Sequence, residues 1–445
     1  MSNSDKITYI QPDPKESSME IDSFKEHIGT EIKTEGAIQA IRKLSNVCFL
    51  VIRTNRDHFQ AVLEGEQLKA AETLQAGDFI RISGKVIETD AAYKKAEIHA
   101  NDIQVVSSPH EPLPLNLGKK QMNLGLDLKL DQRVLTLRHL RERAIFKIQA
   151  TIGQSFGKHL GDNGFTEIHS PKIVKAGAEG GANIFCLDYF GSPAYLAQSP
   201  QFYKQYMVPV FGRVFEVGPV FRAEKHGTTR HLNEYTSLDF EMGFIESFRD
   251  VMAMQASFYR RMIAELTQNC PEELEMLGVQ LPNIDSFPAV RFQDIKDIVA
   301  EKYSRKYRDK FDLEPEEEKL ISRYAQEELG SDFMFVTNYP WKKRPFYTKR
   351  SEDGDYTESF DMLFRGLEIS TGGQRIHNYE EQRKAMEDKG LSPADFEDYL
   401  DLHKFGTPPH GGCGIGLERL TMKLLGKENV RETTLFPRDI TRLTP

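Results

Sequence analysis

Cysteine, tryptophan and long apolar runs are scarce in this sequence. It has four cysteines and one tryptophan in 445 residues, and no apolar run approaches the length that crosses a bilayer. The cysteines lie far apart without CxxC spacing, which favours reduced thiols over a disulfide framework or a zinc site. The N-terminal residues lack a basic flank leading into an apolar stretch. No signal peptide and no membrane partner are therefore predicted, and a cytoplasmic location is expected.

The composition is typical of a multidomain globular protein. Hydrophobic residues make up 39% of the chain and charged residues 28%, and 445 residues favour two or three domains. The net charge of −9 argues against a nucleic-acid partner, because phosphate binding depends on Lys and Arg. That argument is weak, since local basic patches can coexist with an acidic whole. Charge therefore leaves the partner open.

The N-terminal part of the chain, to about residue 106, contains five short alternating segments separated by polar turns. This spacing predicts a small closed barrel, for which an OB-fold is the natural candidate, although other small barrels would fit equally. The Pro- and Ser-rich stretch SSPHEPLPLNLG follows and marks a linker. We predict an N-terminal extension over 1–21, a barrel over 22–108 and a linker over 109–130.

The remainder, 131–445, is predicted to be an α+β domain. Apolar residues at helical spacing predict a long helix followed by a turn at Gly164. Strand-like and helix-like pieces then follow without a regular βαβ order, which favours an antiparallel sheet. An insertion is expected around 285–332. The acidic stretch EPEEEKLISRYAQEELG in that region predicts a solvated helix without a functional role.

Three windows concentrate charged residues and glycine. The first, FRAEKHGTTRHLNEYTSLDFEMG, reads as two strands and a charged loop that would line a polyanion site. The second, FRGLEISTGGQRIH, carries Glu368 and Arg375 with small residues between them. The third, PPHGGCGIGLERLTMKLL, is a glycine-rich run entering a helix that contains Arg419. Glycine lets a backbone approach a ligand closely and guanidinium groups clamp phosphates. Each window alone also fits a solvated face, so their joint order is the sharper signal.

In that order, GFTEIHSPKIV, FRAE with its loop, and GIGLERL resemble motifs 1, 2 and 3 of class II aminoacyl-tRNA synthetases. The strings AGAEGGANIF, YLAQSPQFYKQ, FRGLEISTGGQRIH and LFPRD resemble the aspartyl-tRNA synthetases of the archaeal and eukaryotic-cytosolic type. The resemblance covers nearly the whole chain. It implies an N-terminal OB-fold that binds the anticodon, ATP and L-aspartate as substrates, Mg²⁺ as cofactor, tRNA as partner and a homodimer formed through motif 1.

The resemblance also implies residues for the nucleotide. Arg222 would bind the α-phosphate of ATP and Arg419 the γ-phosphate, and these two with Glu368 form the implied catalytic set. Tyr235 would stack on adenine. The other implied nucleotide contacts are Glu224, Arg230 and His231, of which His231 would contact either the phosphates or the tRNA end. Mg²⁺ would be held by oxygen ligands, as hard cations prefer, from Asp361, Glu368 and Thr371.

For the amino acid, the resemblance implies that Arg375 and Lys204 bind the side-chain carboxylate and that Asp239 binds the α-ammonium group. Glu179 would lie on a glycine-rich loop that closes over the substrate, where Ala178 replaces a serine of some relatives. The implied aspartate set is completed by Gln201 and Thr371. The aspartate α-carboxylate then attacks the α-phosphorus in line, and no protein nucleophile is needed.

In the barrel, Phe49 matches the aromatic residue that stacks on the middle anticodon base, and the polar groups around it match Arg42, Gln60 and Glu97. OB-folds bind single strands by stacking and base-edge hydrogen bonds. Because strand faces alternate, the less favoured alternative is that Phe49 belongs to the barrel core.

The choice between aspartate and asparagine tRNAs is expected to depend on the barrel surface. Ala37 stands where some discriminating relatives carry a bulky aromatic residue, so we expect relaxed specificity for the two tRNAs. The alternative is that another residue, near Glu97 or Asn101, reads the third anticodon base.

Other functions remain open. An asparaginyl-tRNA synthetase shares the motifs, but the cations Arg375 and Lys204 favour a carboxylate substrate. A lysyl-type enzyme would instead need acidic groups facing the substrate side chain. Intact Arg222, Glu368 and Arg419 argue against a catalytically inactive RNA-binding paralogue.

Overall fold

The computed structural model describes residues 24–54, 58–90, 96–175, 183–225, 227–306 and 308–444. The chain divides into two compact units, Met1–Gly125 and Leu126–Pro445. Within the described residues, no helix is long and apolar enough to cross a membrane.

The N-terminal unit is a five-stranded closed barrel with strand order β1-β2-β3-β5-β4. Its elements are β1 (Glu31–Lys43), β2 (Cys48–Arg53), β3 (His58–Leu63), α1 (Leu68–Thr73), β4 (Phe79–Glu88) and β5 (Ala96–Ser107). Alternate residues of the strands point inward, and aliphatic side chains such as Leu50, Ile82 and Ile98 fill the interior. The predicted barrel is confirmed.

The second unit is built on an eight-stranded sheet with order β12-β13-β14-β15-β16-β11-β10-β6. Its strands are β6 (Thr166–Glu167), β10 (Arg213–Phe221), β11 (Glu234–Gly243), β12 (Ala289–Arg291), β13 (Phe333–Thr337), β14 (Ser359–Phe364), β15 (Leu367–Gln374) and β16 (His410–Gly416). Neighbouring strands from β13 to β10 are antiparallel, whereas the edge pairs β10/β6 and β12/β13 are parallel. The predicted α+β domain is confirmed, with a sheet that is mixed at its edges. A separate small sheet contains β7 (Ile173–Val174), β8 (Cys186–Tyr189) and β9 (Ser192–Leu196).

Helices surround the large sheet. They are α2 (Leu126–Asp131), α3 (Arg133–Thr136), α4 (Leu140–Asp162), α5 (Gln201–Phe211), α6 (Phe248–Asn269), α7 (Pro271–Leu277), α8 (Phe292–Tyr303), α9 (Pro315–Leu329), α10 (Tyr379–Asp388), α11 (Glu397–Lys404) and α12 (Leu417–Leu424). The predicted long helix is α4, which is followed by Gly164 at φ +77°. Helices α4 and α6 pack on the sheet through buried residues such as Phe156, Phe258 and Phe240. This core fixes the strands that carry the cavity described next.

Candidate active site

A cavity of about 320 Å³ lies on the large sheet, between the loop that joins β10 to β11, strands β15 and β16, and the start of α12. Most of the residues predicted for catalysis and substrate binding line it: Gln201, Lys204, Arg222, Glu224, Arg230, His231, Tyr235, Asp239, Glu368, Thr371, Arg375 and Arg419. Asp361 is not among the lining residues. Glu179 and its neighbour Ala178 lie outside the described residues.

One end of the cavity contains a buried pair of cations. The guanidinium of Arg375, 5% exposed, donates from Nε and Nη2 to the carboxylate of Glu241, and Nη2 also donates to the carbonyl of Gly412 at 2.9 Å. The ammonium of Lys204, from α5, lies 2.9 Å from Oδ1 of Asp239 and 3.4 Å from Oε2 of Glu241. The two cations predicted for the aspartate side chain are thus adjacent and held by carboxylates.

Glu241 lies in the first charged window of the sequence, but no role in the site was predicted for it. Burial alone would raise the pKa of its carboxyl group, but Arg375 and Lys204 hold the pKa below its usual value, so Glu241 is ionised. It lies two positions after Asp239 on β11, and residues at that spacing share a face of a strand. That spacing was the available signal.

The floor of this end is made of backbone. Strand β16 pairs with β11 so that Gly412 lies opposite Glu241 and Gly414 opposite Asp239. A Cβ atom on Gly412 would overlap Oε2 of Glu241 and the carbonyl of Phe240, and a Cβ on Gly414 would lie 3.0 Å from Oδ1 of Asp239. Glycine at these positions therefore leaves room for the two carboxylates.

The other end of the cavity is lined by the loop between β10 and β11. Asn233 fixes this loop, because its amide group donates to the carbonyl oxygens of Arg222 at 2.7 Å and Glu224 at 3.1 Å. His231 is hydrogen-bonded to Thr228, and burial together with the nearby charge of Arg419 lowers the pKa of its imidazole. A neutral His231 lies near three arginines, Arg222, Arg230 and Arg419, and guanidinium groups at this end are suited to a polyphosphate.

Arg419, in the first turn of α12, connects the loop to β15. Its guanidinium donates from Nε to the carbonyl of Arg230 at 3.1 Å and from Nη1 to the carbonyl of Glu368 at 3.2 Å. The neighbouring Glu418 also lines the cavity, is 6% exposed and accepts the backbone N–H of Thr236. Burial raises the pKa of Glu418 to about 7. Arg419 therefore joins the loop to β15, while Glu418 joins the start of α12 to β11.

The predicted metal ligands are only partly brought together. The hydroxyl of Thr371 donates to Oε1 of Glu368 at 3.0 Å, and both residues line the cavity. Asp361 lies opposite Thr371 on β14, is 6% exposed and pairs with Arg344 at 2.8 Å. Burial raises the pKa of Asp361 to about 6, against the opposing effect of Arg344. Among the residues that the structure describes, no three His, Cys, Asp or Glu side chains converge on one point.

The acidic stretch of the insertion does form a helix, α9, but it is not a fully solvated one. Glu317 and Glu318 are 1% and 5% exposed. Glu317 pairs with Lys296 of α8, and Glu318 accepts hydrogen bonds from Arg230 at 2.8 Å and from the backbone N–H of Glu368 at 3.1 Å. The prediction of a helix is confirmed and that of a wholly solvated face is wrong, because each buried carboxylate has a cationic partner.

In the barrel, Phe49 lies on the outer surface. Its neighbours Cys48 and Leu50 are buried in the interior, whereas Phe49 is half-buried on the opposite face of β2. The other residues predicted for the anticodon lie on adjoining strands: Arg42 pairs with Phe49 in register, and Gln60 on β3 pairs with Glu97 on β5. The amide of Gln60 donates to the Glu97 carboxylate at 2.7 Å. The interpretation of Phe49 as barrel core is therefore excluded.

Ala37 lies on the outer face of β1, because its register partners Arg53 of β2 and Phe79 of β4 alternate with residues of the barrel interior. The Ala37 side chain is only 5% exposed. Its part in the choice of tRNA stays a prediction. Of the alternative positions, Asn101 is exposed and Glu97 is half-buried on the outer face.

A closed barrel in one unit, together with an antiparallel sheet carrying clustered arginines and carboxylates in the other, defines the class of protein. Residues 125–440 match the family described as tRNA synthetases class II (D, K and N), and residues 32–106 match the OB-fold nucleic acid binding domain. The chain belongs to the class II aminoacyl-tRNA synthetases.

Relatives within that family narrow the assignment to the aspartate–tRNA ligases. The aspartate–tRNA(Asp/Asn) ligase of Deinococcus radiodurans is 46% identical over 94% of this chain and 97% of the relative. That of Thermus thermophilus is 44% identical over 95% and 98%. An aspartate–tRNA(Asp) ligase of Pyrococcus abyssi is 38% identical over 94% and 97%. The predicted aspartyl type of class II synthetase is confirmed.

Solved structures agree on the fold. The aspartyl-tRNA synthetase of Entamoeba histolytica superposes with a TM-score of 0.85 at 30% identity, over 99% of this chain and 96% of the other. The asparaginyl-tRNA synthetase of Pyrococcus horikoshii, complexed with asparaginyl-adenylate, superposes with a TM-score of 0.86 at 28% identity, over 94% and 97%. Because both enzymes share the fold, substrate choice depends on the side chains in the cavity.

Proposed function

We propose that this protein activates L-aspartate with ATP and transfers the aspartyl group to the 3′ end of tRNA(Asp) and of tRNA(Asn), a reaction that we place in the cytoplasm. The observation that carries the proposal is the arrangement of one cavity, with the cations Arg375 and Lys204 at one end and Arg222 and Arg419 at the other. The first pair suits a side-chain carboxylate and the second suits a polyphosphate. Relatives named aspartate–tRNA(Asp/Asn) ligase support the choice of both tRNAs.

In the activation step, Arg375 and Lys204 bind the side-chain carboxylate of aspartate, and Asp239 binds the α-ammonium group. Gln201 orients the substrate, whereas Glu179, the remaining residue that the family resemblance implies for aspartate, lies outside the described residues. The α-carboxylate is thereby held for in-line attack on the α-phosphorus, and pyrophosphate leaves. No protein nucleophile takes part, so positioning supplies much of the rate enhancement.

The nucleotide is held by a separate set of residues. Arg222 and Arg419 neutralise charge on the α- and γ-phosphates, and Tyr235 stacks on the adenine. The polar residues of the loop complete the contacts: Glu224, Arg230 and His231.

Glu368 and Thr371 fit a Mg²⁺ ion, since they offer adjacent hard oxygen ligands in the cavity and leave positions for phosphate oxygens. Asp361, opposite Thr371 in the sheet, is the third proposed ligand. When bound, an ion held by these residues would act as a Lewis acid and withdraw charge from the phosphate groups of ATP.

The barrel, which we place at 22–108, is proposed to bind the anticodon. Phe49 supplies a stacking surface, and Arg42, Gln60 and Glu97 lie on adjoining strands around it. Residues 109–130 are the proposed linker to the catalytic part, 131–445, which carries the insertion around 285–332.

We also propose a homodimer. The side chains of Phe211 and Phe244 are 50% and 81% exposed. They are close to each other, because Gly212, which follows Phe211, accepts a backbone hydrogen bond from Gly243, which precedes Phe244. Neighbouring large apolar side chains at the surface are typical of an interface. Sedimentation at micromolar concentration should give twice the mass of the chain, and a fully active monomer would contradict the proposal.

The activity is tested by ATP–pyrophosphate exchange with aspartate, asparagine or lysine. Exchange should depend on aspartate and should be at least a hundredfold slower with either alternative. Equal or faster exchange with asparagine would reassign the substrate, and no exchange with any of the three would reject the proposed activity.

A further inference from the structure

Glu318 lies outside the cavity lining, yet it contacts two residues that do line it. Its carboxylate is 5% exposed, in the first turn of α9. Nη2 of Arg230 lies 2.8 Å from both of its oxygens, and the backbone N–H of Glu368 donates to Oε2 at 3.1 Å. One buried group therefore joins the β10–β11 loop to strand β15.

Arg419 joins the same two residues from inside the cavity. It donates to the carbonyl of Arg230 and to the carbonyl of Glu368. The four residues Glu318, Arg230, Arg419 and Glu368 thus form a closed ring of hydrogen bonds, which we call the Glu318 ring. Every member except Glu318 lines the cavity.

The electrostatics of the ring require Glu318 to be held firmly. Burial raises the pKa of its carboxyl group, Arg230 opposes this, and the nearby carboxylate of Glu368 raises it further. A carboxylate placed beside another carboxylate and away from water is stable only where a cation and hydrogen-bond donors compensate it. Arg230 and the backbone of Glu368 provide that compensation.

We propose that Glu318 is a positioning residue for ATP. It acts through Arg230 and Glu368, holding the loop and strand β15 at the separation at which Arg419 spans them. This inference depends on the proposed function, because it assumes that Arg419 and Glu368 bind the triphosphate and its metal ion. Because Glu318 lies in the insertion, the inference gives the insertion a part in nucleotide binding. It gives the insertion no part in aspartate binding, since Arg375 and Lys204 make no contact with the Glu318 ring among the described interactions.

The chain offers a matched control in the preceding residue. Glu317 is also buried, at 1% exposure, also lies in the first turn of α9, and also pairs with one cation, Lys296, at 2.8 Å. Its partner is on α8, away from the cavity. Glu317→Gln should therefore disturb the helix as Glu318→Gln does without disturbing the ring.

The test measures KM for ATP and for aspartate by pyrophosphate exchange in both variants. Glu318→Gln should raise KM for ATP at least tenfold and change KM for aspartate by less than twofold, because a charge-assisted contact at the nucleotide end is lost. Glu317→Gln should change both by less than twofold. Glu318→Asp, which keeps the charge, should give a KM for ATP between those of the wild type and Glu318→Gln.

A double variant tests the route of the effect. If Glu318 acts through Arg230, adding Glu318→Gln to Arg230→Gln should raise KM for ATP by less than twofold. Equal KM values for ATP in Glu318→Gln and Glu317→Gln would overturn the inference, as would a parallel rise of both KM values. If thermal unfolding shows that Glu318→Gln does not fold, Glu318→Asp is compared with Glu317→Gln instead. In that case a KM for ATP of Glu318→Asp equal to that of the wild type overturns the inference. Absence of exchange in the wild type would instead reject the proposed function.

Discussion

Arg375 and Glu241 form a buried two-point ion pair in which Nε lies 2.9 Å from Oε1 and Nη2 lies 3.3 Å from Oε2. Glu241 is completely buried. The guanidinium is therefore oriented by the protein itself, and under the proposed function aspartate would bind to a cation whose position is already fixed. Such preorganisation reduces the entropic cost of forming the substrate complex.

Replacing Arg375 by Leu should abolish aspartate-dependent exchange. The substrate carboxylate would lose its guanidinium partner, and sites built on polar pairing discriminate by roughly 10⁴ to 10⁵. ATP binding, measured by calorimetry, should persist because Arg222 and Arg419 are untouched. Arg375→Lys, which keeps a cation beside Glu241, is the control and should retain more activity than the Leu variant. Exchange by Arg375→Leu within tenfold of the wild type would refute the role.

The Glu418→Gln variant should become more stable relative to the wild type as the pH rises. Burial raises the pKa of Glu418 from its usual 4.5 to about 7 in the folded protein. The stabilising contribution of the protonated form is thus complete below about pH 4.5 and is lost as the pH rises through 7. At about 1.4 kcal/mol per tenfold change in the ionisation constant, the full difference is about 3 kcal/mol.

This is measured by denaturant unfolding of both proteins at pH 5 and pH 8. The free energy of unfolding of Glu418→Gln minus that of the wild type should increase by about 1 to 3 kcal/mol between the two pH values. A difference that is constant or decreases with pH would show that Glu418 is ionised in the folded state throughout this range.

Replacing Phe49 by Ala should weaken aminoacylation of tRNA without affecting amino-acid activation. Stacking of a base on an aromatic side chain contributes about 1–3 kcal/mol, so kcat/KM for tRNA should fall by roughly 5- to 150-fold. Pyrophosphate exchange should not change. Phe79→Ala is the matched control, because Phe79 is a 44% exposed aromatic residue on β4, which does not pair with β2. Equal losses in the two variants would contradict the stacking role.

Purified transcripts of the two tRNAs should be aspartylated at comparable rates. We expect the ratio of kcat/KM for tRNA(Asp) over tRNA(Asn) to lie below a hundredfold, about 2.7 kcal/mol at 1.4 kcal/mol per factor of ten. A larger ratio would show that a residue on the barrel surface reads the third anticodon base. The side-chain amide of Asn101 donates to Glu31 at 2.9 Å. The Asn101→Ala variant would then show whether Asn101 is the residue that reads this base.

Much of the site could be predicted because its residues lie within short sequence windows. Arg222 directly follows β10 and Tyr235 lies on its partner strand β11, while Glu368 lies on β15 and Arg375 directly follows it, so local spacing already places each pair together. The barrel could be predicted for a similar reason, because five segments with alternating apolar residues have few other ways to bury one face of each strand.

The residues that escaped prediction depend on partners far away in the sequence. Glu316, Glu317 and Glu318 are three consecutive acidic residues that the local sequence does not distinguish. In the structure, however, Glu317 is paired with Lys296 and Glu318 is paired with Arg230. Helical periodicity predicts a helix in this segment, but it does not predict which of its carboxylates form ion pairs. The ion pair between Asp361 and Arg344 could not be predicted either, because no local sequence pattern indicates it.

The glycines of β16 limit how the amino-acid preference of this protein can evolve. Opposite Asp239 and Glu241 the strand presents only backbone, so no side chain there can be exchanged for a larger or smaller one. The ionic residues at this end of the pocket are each bound to another ionic residue, Lys204 to Asp239 and Glu241, and Arg375 to Glu241. Replacing one of them alone would leave a buried charge without its partner at a cost of about 3–5 kcal/mol, so we expect these residues to change in pairs. Such a pocket is expected to change more slowly than the barrel, to which we have assigned the choice of tRNA only as a proposal.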